Sequence, residues 1–225
     1  MLLAGIYSGG KDSTYALMKA MESGHTVACL VNVRSRNPWS YMFHTVNVEW
    51  VRLQAEAMGL PLLTKESPGE KERELDDLES LLALAKRRFG IEGVVSGAIA
   101  SLYQKSRIDR ICRGLELASI APLWGVDPHQ LLHSYLEREI VAIITQVSSL
   151  GLSEKWLGRI LDHQALLELE ELSRRYRLHP CGEGGEYETF VLWAPIFKKR
   201  LVIERARKVW GGDWGAYIIE AARLE

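Results

Sequence analysis

The sequence has few cysteines, no long apolar run and almost no net charge. Its three cysteines, Cys29, Cys112 and Cys181, lie far apart and none belongs to a CxxC pair, so neither a disulfide framework nor a zinc knuckle is indicated. No apolar run approaches the roughly 20 residues that span a bilayer. The opening residues, MLLAGIY, are too short for a signal peptide and lack its basic flank. We therefore expect a cytoplasmic protein with reduced thiols and no membrane partner.

The charge balance argues against nucleic acid as a partner. Lys and Arg total 28 while Asp and Glu total 29, which gives a formal net charge of −1. No overall positive field would therefore draw the chain onto nucleic acid or an anionic membrane. Asn and Gln are scarce beside abundant Glu, Arg and Leu, a composition that leans towards a thermophilic source. With 225 residues, 47% of them hydrophobic, the chain can bury the core of one large domain or two modest ones.

Short apolar runs alternate with helical segments through the first 125 residues. The apolar runs are LLAGIY, TVACLVNV, LPLLT, GVVSG and ASIAPLWG. The helical segments between them are STYALMKAMES, VEWVRLQAEAM, ELDDLESLLALAKRRF and QKSRIDRICRGLEL. This alternation predicts an α/β fold with a parallel, doubly wound sheet covered by helices on both faces.

The pattern changes near VDPHQLL, where Pro128 stands at the start of a new helix. We place a domain boundary here, between an α/β domain over residues 1–125 and a smaller α+β domain over residues 126–225. In the second domain IVAIITQV predicts a strand, and SEKWLGRIL and HQALLELEELSRRY predict helices. RLVIERARKVW and AYIIEAARL flank the turn GGDWG, which predicts a terminal hairpin.

A polar stretch, SGGKDS at residues 8–13, directly follows the first predicted strand and opens a helix. A glycine turn between a strand and a helix directs backbone N–H groups and the positive helix end towards one point, which makes an anion site. Gly9 and Gly10 let the backbone approach a guest closely, and Ser8 and Ser13 add hydroxyl donors. Phosphate is the guest that this stretch predicts.

Two charged residues of this stretch, Lys11 and Asp12, extend the prediction. Lys11 supplies a point positive charge for a phosphate. Asp12 does not hold phosphate directly; it either caps the helix or binds a Mg²⁺ that carries the phosphate oxygens. The spacing matches neither the P-loop G-x-x-x-x-G-K-[ST] nor the dinucleotide pattern G-x-G-x-x-G. A glycine turn with nothing bound is the alternative, but six consecutive anion-suited residues at the end of the first strand favour a phosphate site.

The hexapeptide SGGKDS resembles the PP-loop of the N-type ATP pyrophosphatases. Members of that superfamily bind the β and γ phosphates of ATP in this loop, cleave between the α and β phosphates and transfer AMP to a substrate oxygen. The resemblance implies a HUP-like nucleotide-binding domain over residues 1–125, with ATP and Mg²⁺ as cofactors. It also implies catalytic roles for Lys11 and Asp12, with Asp12 as the metal ligand.

Three further stretches are similar to the diphthine–ammonia ligase family, and most similar to its short archaeal form: SYMFHTVN (40–47), GAIASLYQKSRIDRICRGLELASIAPLWG (97–125) and CGEGGEYETFVL (181–192). The resemblance spans nearly the whole chain. It implies that the carboxylate of diphthine, a modified histidine on translation elongation factor 2, is converted to an amide through an acyl-adenylate, with release of AMP and pyrophosphate. Because no glutaminase-like cysteine pattern is present, ammonium is the expected nitrogen donor.

Loops after the second and fourth strands are candidates for the rest of the nucleotide site, because open α/β sheets bind ligands at the carboxyl ends of their strands. Met42 and His44 follow the second strand and are candidates to border adenine or ribose. Gly97, Gln104 and Arg107 follow the fourth and are candidates to reach adenine or phosphate. The alternatives stay open: packing for Met42, a surface position for His44 and a solvated helix-face charge for Arg107.

The stretch EGGEYE is the candidate site for the protein substrate. Glu186 and Glu188 face one side if the segment is extended, and the two glycines keep the backbone open to a bulky guest. Carboxylates and the ring of Tyr187 suit the trimethylammonium group of diphthine. Glutamates that are simply solvated after a turn are the alternative. Glu183, Glu186 and Glu188 are expected to orient the modified histidine. The full set of candidate substrate-binding residues is Glu183, Gly184, Gly185, Glu186, Tyr187 and Glu188.

Two other functions fit the same phosphate loop. A tRNA-modifying PP-loop enzyme adenylates a base carbonyl, but sulfur transfer usually needs paired cysteines and tRNA binding favours a basic surface. An ATP-binding sensor without turnover is the non-enzymatic alternative. The sequence leaves the oligomeric state open, with a homodimer as one candidate.

Overall fold

A computed structural model describes residues 1–37, 46–70 and 73–225 of the chain. Within these ranges, five parallel strands form one sheet and four antiparallel strands form another. The parallel strands are β1 (Leu2–Ile6), β2 (Thr26–Ser35), β3 (Leu62–Ser67), β4 (Gly93–Val95) and β5 (Ala118–Ile120). The antiparallel strands are β6 (Val141–Val147), β7 (Tyr187–Trp193), β8 (Leu201–Trp210) and β9 (Gly215–Leu224).

Six α-helices connect the strands of the described chain. Gly59, with φ 71°, ends the second helix in the left-handed conformation that glycine favours. At the start of the fifth, the Asp127 side chain accepts the N–H of Gln130 and Pro128 takes the first turn. Over the described ranges, no helix has the length and apolar character needed to cross a membrane. The helices are α1 (Lys11–Glu22), α2 (Val51–Met58), α3 (Arg73–Phe89), α4 (Leu102–Gly114), α5 (Pro128–Glu137) and α6 (His163–Tyr176).

The parallel sheet has the strand order β3-β2-β1-β4-β5. Successive strand residues face opposite sides, so Leu3 packs with α1 and α2 while Ala4 packs with α3 and α4. The predicted doubly wound α/β sheet is confirmed. The strand order reverses between β1 and β4, and ligands of such sheets bind in the crevice at the carboxyl ends of the strands at that point. The SGGKDS stretch follows β1, and the stretch that begins at Gly97 follows β4.

The antiparallel sheet has the order β7-β6-β9-β8 and shares its core with the first sheet. β8 and β9 form the predicted terminal hairpin, with Trp210 opposite Gly215 at its turn end. One hydrophobic cluster runs from Leu17 on α1 through Leu132 on α5 to Val191 on β7. The N–H of Val191 also donates to the carbonyl of Gly9 at 2.9 Å, so β7 lies directly against the loop that follows β1.

One predicted helix, SEKWLGRIL, is wrong. The segment forms only a short 3-10 turn at Glu154–Trp156. Leu157 is extended, and Gly158 takes φ 75°, a left-handed conformation that does not continue a helix. The N–H of Ile144 then donates to the carbonyl of Arg159 at 2.9 Å. Hydrogen bonding to β6 therefore replaces the helix that the local spacing predicts.

Candidate active site

The SGGKDS loop connects the end of β1 to the first turn of α1. Gly9 takes φ 87°, and α1 begins at Lys11 with Gly10 as its N-cap. Gly9 suits this position because L residues rarely adopt such a φ, and a Cβ there would lie 2.6 Å from the Oε1 atom of Gln54. The N-cap position of α1 is taken by Gly10, and Asp12 lies inside the first turn of the helix. The capping role considered for Asp12 is therefore wrong.

Hydroxyl oxygens face the N–H groups of the loop. The Oγ of Ser13 accepts the N–H of Ser8 at 3.3 Å and donates to the carbonyl of Gly10 at 3.1 Å. The N–H of Gly10 points to the Oγ of Ser8 over a long 3.3 Å. The N–H of Lys11 donates at 3.1 Å to the Oγ1 of Thr189 on β7, a contact that the sequence did not predict. Phosphate oxygens are stronger acceptors of the same kind, so these N–H groups are chemically suited to bind them.

The ammonium of Lys11 is buried at the centre of this site. Only 2% of the side chain is exposed, and Nζ donates to the carbonyl of Cys181 at 2.6 Å and to the carboxylate of Asp12 at 3.0 Å. The rings of Tyr135 and Tyr187 have their centroids 5.5 and 5.0 Å from Nζ, a cation–π arrangement. Both halves of the chain therefore hold Lys11 in place.

The Asp12 carboxylate receives a short hydrogen bond from the hydroxyl of Tyr135 on α5. Burial, together with the negative charge of Asp12, raises the pKa of Tyr135 well above its usual value. The hydroxyl therefore keeps its proton and stays a donor to Asp12. The sequence did not reveal this role, because Tyr135 lies on the apolar stripe of α5 with Leu131 and Leu132 and so predicts only core packing.

The position of Asp12 fits a Mg²⁺ ion that is held mainly by phosphate. In nucleotide sites Mg²⁺ is bound through one or two carboxylates, with phosphate oxygens and waters completing its octahedron. Asp12 offers one carboxylate, 28% exposed, beside the ammonium of Lys11. Among the residues that the structure describes, no group of three acidic, histidine or cysteine side chains forms a metal site by itself. Asp12 is thus the residue that would hold the ion.

Gly97, after β4, is brought directly against the start of α1. A Cβ at this position would lie 2.7 Å from the backbone nitrogen of Ser13 and 2.8 Å from the carbonyl carbon of Asp12. These are backbone atoms that cannot move aside cheaply. Because Gly97 has no side chain, the loop that follows β4 can pack directly against the SGGKDS loop.

Two further candidate nucleotide residues, Gln104 and Arg107, lie on α4. The backbone N–H of Gln104 donates to the side chain of Ser101, the N-cap of α4. The guanidinium of Arg107 stacks on the ring of Tyr103, 3.5 Å from its centroid, within the same helix. Met42 and His44 lie outside the described residues.

Glu183 ties the EGGEYE stretch to the crevice. A single carboxylate oxygen, Oε1, accepts the N–H groups of Ile99, Ala100 and Ser101 at 3.2, 3.1 and 2.9 Å. These N–H groups lie between β4 and α4, at the positive end of that helix, where a carboxylate is stabilised. The substrate candidate Glu183 is therefore bonded to the loop between β4 and α4 in the N-terminal half of the chain.

The rest of the stretch lies in varied surroundings. Oε1 of Glu186 accepts the N–H of His179 at 2.7 Å, whereas its Oε2 is buried and, within the described chain, has no hydrogen-bond partner. Tyr187 begins β7 and donates its hydroxyl to the carbonyl of Pro180 at 2.6 Å. Because the strand begins only at Tyr187, Glu186 lies before it and Glu188 within it. The two glycines, Gly184 and Gly185, are exposed.

All three cysteines are buried free thiols. Burial raises the pKa of Cys29 and of Cys112 to about 11, and that of Cys181 to about 12. Thiols with such pKa values are protonated at neutral pH and are poor nucleophiles. Cys181 therefore contributes its backbone carbonyl to the site rather than thiolate chemistry.

Two family models together match nearly the whole chain. Residues 1–119 match the diphthamide synthase N-terminal domain and residues 127–224 match the diphthamide synthase C-terminal domain. The diphthine–ammonia ligase of Bos taurus is 40% identical over 228 residues, which cover 93% of this chain and 85% of the bovine protein. The protein of the same name from Homo sapiens is 39% identical with the same coverage. That of Schizosaccharomyces pombe is 36% identical, over 90% of this chain and 36% of the yeast protein.

A solved structure described as a predicted subunit of tRNA methyltransferase, from Methanocaldococcus jannaschii, aligns with 87% of this chain and 98% of its own. Its TM-score is 0.44 and its sequence identity is 15%, a level from which no functional assignment follows. The family models and the relatives at 36–40% identity show the family of this chain without that structure. The chain belongs to the diphthamide synthase family.

Proposed function

We propose that this chain is a diphthine–ammonia ligase, which uses ATP and ammonium to convert the diphthine carboxylate of translation elongation factor 2 into an amide. One observation carries the proposal: Lys11 of the SGGKDS loop contacts Cys181, two residues before the EGGEYE stretch, and Tyr187 within it. The proposed nucleotide site and the proposed substrate site therefore adjoin, in a chain whose relatives are named diphthine–ammonia ligases.

The reaction needs ATP because a carboxylate oxygen is a poor leaving group. Attack of one carboxylate oxygen on the α phosphorus breaks the bond between the α and β phosphates, forms the acyl-adenylate and releases pyrophosphate. Ammonia then attacks the acyl carbon, and AMP leaves with that oxygen. The ammonium nitrogen gives up two protons in total, and the products are the amide, AMP and pyrophosphate.

The phosphate loop is proposed to stabilise the charge that gathers on the leaving pyrophosphate. Lys11 and the N–H groups of the loop are fixed before the reaction, so they stabilise this charge without reorganising. Asp12 is the proposed ligand of Mg²⁺, which when bound would neutralise part of the phosphate charge. The proposed nucleotide-binding residues are Ser8, Gly9, Gly10, Lys11, Asp12, Ser13, Met42, His44, Gly97, Gln104 and Arg107.

Glu186 is the proposed contact for the modified histidine. Its Oε2 atom is buried without a partner in the described chain, and an ionised oxygen in that position is costly unless a cation or an N–H group faces it. The cationic diphthine side chain has this chemistry. Glu183, which already accepts three N–H groups, is proposed to position the stretch against the β4 loop. Tyr187, Glu188 and the two glycines complete the proposed substrate site.

We also propose that the chain divides at residue 125, into a nucleotide-binding domain over residues 1–125 and a substrate-binding domain over residues 126–225. The change from a parallel to an antiparallel sheet supports this division. We place the reaction in the cytoplasm because the proposed substrate belongs to the translation machinery.

Release of AMP and pyrophosphate tests the proposed function. The chain is incubated with ATP and Mg²⁺, with and without diphthine-modified elongation factor 2 and with and without ammonium. We expect stoichiometric AMP and amide only when both the modified factor and ammonium are present. AMP formation that instead depends on tRNA would support a tRNA-modifying enzyme, and ATP binding without turnover under every condition would support a sensor. Either of these results would overturn the proposal.

A further inference from the structure

A buried glutamine on α2, Gln54, forms a hydrogen bond with the SGGKDS loop. Its side chain is fully buried, and Nε2 donates to the carbonyl of Gly9 at 2.9 Å and to that of Val191 at 2.8 Å. Two carbonyl oxygens require a donor, so the amide NH₂ and not the amide oxygen must face them. Gln54 therefore links the loop after β1 to strand β7.

The carbonyl of Gly9 also accepts the backbone N–H of Val191 at 2.9 Å, so two donors fix its direction. The peptide bond that follows is trans, and in a trans peptide the C=O and the next N–H point to opposite sides of the chain. The N–H of Gly10 must therefore point away from Gln54 and Val191. Its partner there is the Oγ of Ser8 at 3.3 Å, a long bond that a better acceptor can replace.

The amide oxygen of Gln54 has no hydrogen-bond partner within the described chain, although it is buried. Unsatisfied buried groups are uncommon in native proteins, and each one calls for a reason. A hydrophobic side chain would fill this core position without an unpaired oxygen. What the amide adds is its pair of bonds to Gly9 and Val191.

We propose that Gln54 is a positioning residue for the phosphate loop: it sets the Gly9–Gly10 peptide plane so that the N–H of Gly10 faces the β and γ phosphates of ATP. The identity of this anion rests on the proposed function, whereas the geometry of the peptide plane does not. Gln54 is missing from the sequence-based candidates because it lies inside the helical segment VEWVRLQAEAM, where one polar residue at a core position is a weak signal.

Binding measurements on the variant Gln54→Met test the proposal. Methionine has a similar length and removes both donors together with the unpaired oxygen. Inorganic pyrophosphate with Mg²⁺, and separately AMP, are titrated into wild type and variant by calorimetry, and Tm is measured by circular dichroism. We expect pyrophosphate binding to weaken about tenfold, the effect of roughly one hydrogen bond to a charged group. AMP binding should stay close to wild type, whereas Tm should fall by a few degrees because a buried carbonyl loses its donor.

Leu53→Met is the matched control, because Leu53 is a buried neighbour on the same helix. It should bind both ligands as the wild type does. Gln54→Asn keeps the amide but is one methylene too short to reach both carbonyl oxygens, so it should also weaken pyrophosphate binding, and it carries the test if Gln54→Met does not fold. Unchanged pyrophosphate binding would overturn the proposal. Equal weakening of pyrophosphate and AMP binding, or a loss of Tm alone, would also overturn it.

These measurements do not depend on turnover. A wild type that binds pyrophosphate but never forms AMP contradicts the ligase function and leaves the role of Gln54 standing. A wild type that makes AMP while Gln54→Met binds pyrophosphate normally contradicts the role of Gln54 alone.

Discussion

The ammonium of Lys11 donates to the carbonyl of Cys181 at 2.6 Å, although 170 residues separate them in sequence. The contact joins the first turn of α1 to the segment that leads into the EGGEYE stretch. A buried ammonium needs such partners, because an uncompensated charge in the interior is costly. One cation is therefore shared by the expected nucleotide site and the expected substrate site.

Lys11→Arg should lose most activity even though the charge is kept. The side chain is enclosed between the rings of Tyr135 and Tyr187, and the larger, planar guanidinium does not fit the space of a compact ammonium. We expect AMP formation to fall about 100-fold or more. Steady-state AMP release checks this, with the partly exposed Lys19→Arg on the same helix as the control. Turnover of Lys11→Arg near that of wild type would contradict the role given to Lys11.

Asp12→Ala should abolish AMP formation. The substitution removes the carboxylate of the SGGKDS loop, which is the proposed Mg²⁺ ligand, and leaves the hydroxyl of Tyr135 without its acceptor. AMP release measured over a range of Mg²⁺ concentrations checks this. The control is Asp76→Ala, which changes an exposed carboxylate on α3. If Asp12→Ala keeps near wild-type turnover, the metal role of Asp12 is wrong.

Glu186→Gln should impair use of the protein substrate more than binding of ATP. The change keeps the shape of the side chain and removes the negative charge proposed to face the diphthine cation. We expect KM for modified elongation factor 2 to rise about tenfold, the size of one lost interaction with a charged group, while the Kd for ATP stays constant. Glu171→Gln, at an exposed position of α6, serves as the control. Equal losses in both measurements would assign Glu186 to the nucleotide site or to the fold.

Gly97→Ala should destabilise the fold and lower activity. The new Cβ would meet backbone atoms of Asp12 and Ser13 at 2.8 and 2.7 Å, so the β4 loop must shift away from α1. Overpacking of this kind costs about 1–3 kcal/mol, which lowers Tm by a few degrees in a chain of this size. Gly114→Ala is the matched control, since a Cβ there meets nothing within 4 Å. If Gly97→Ala and Gly114→Ala have the same Tm, the prediction is wrong, because the loop then absorbs the new Cβ without loss of stability.

The sequence predicted the features that depend on neighbouring residues. The apolar runs and the glycines that end helices are local signals, and they predicted β1 to β5, the helices between them and the terminal hairpin. The SGGKDS loop was found for the same reason, since its six residues are contiguous. Its position at the end of β1 follows from the strand that precedes it.

The contacts that complete the site are long-range, and no local pattern reports them. Thr189, Gln54 and Tyr135 reach the loop across 178, 45 and 123 residues. Each of them lies in a segment whose spacing predicts only a strand or a helix. In the segment SEKWLGRIL the local pattern predicts a helix that does not form. Gly158 and the hydrogen bonds to β6 give this segment a short 3-10 turn and an extended continuation instead.

The fate of the substrate oxygens tests the account most directly. Elongation factor 2 carrying diphthine with both carboxylate oxygens labelled as ¹⁸O is incubated with the chain, ATP, Mg²⁺ and ammonium, and the products are analysed by mass spectrometry. Because AMP leaves with one carboxylate oxygen, we predict one ¹⁸O atom in each AMP and one in the product amide. Label in pyrophosphate or phosphate, or AMP without label, would contradict adenylation of the carboxylate.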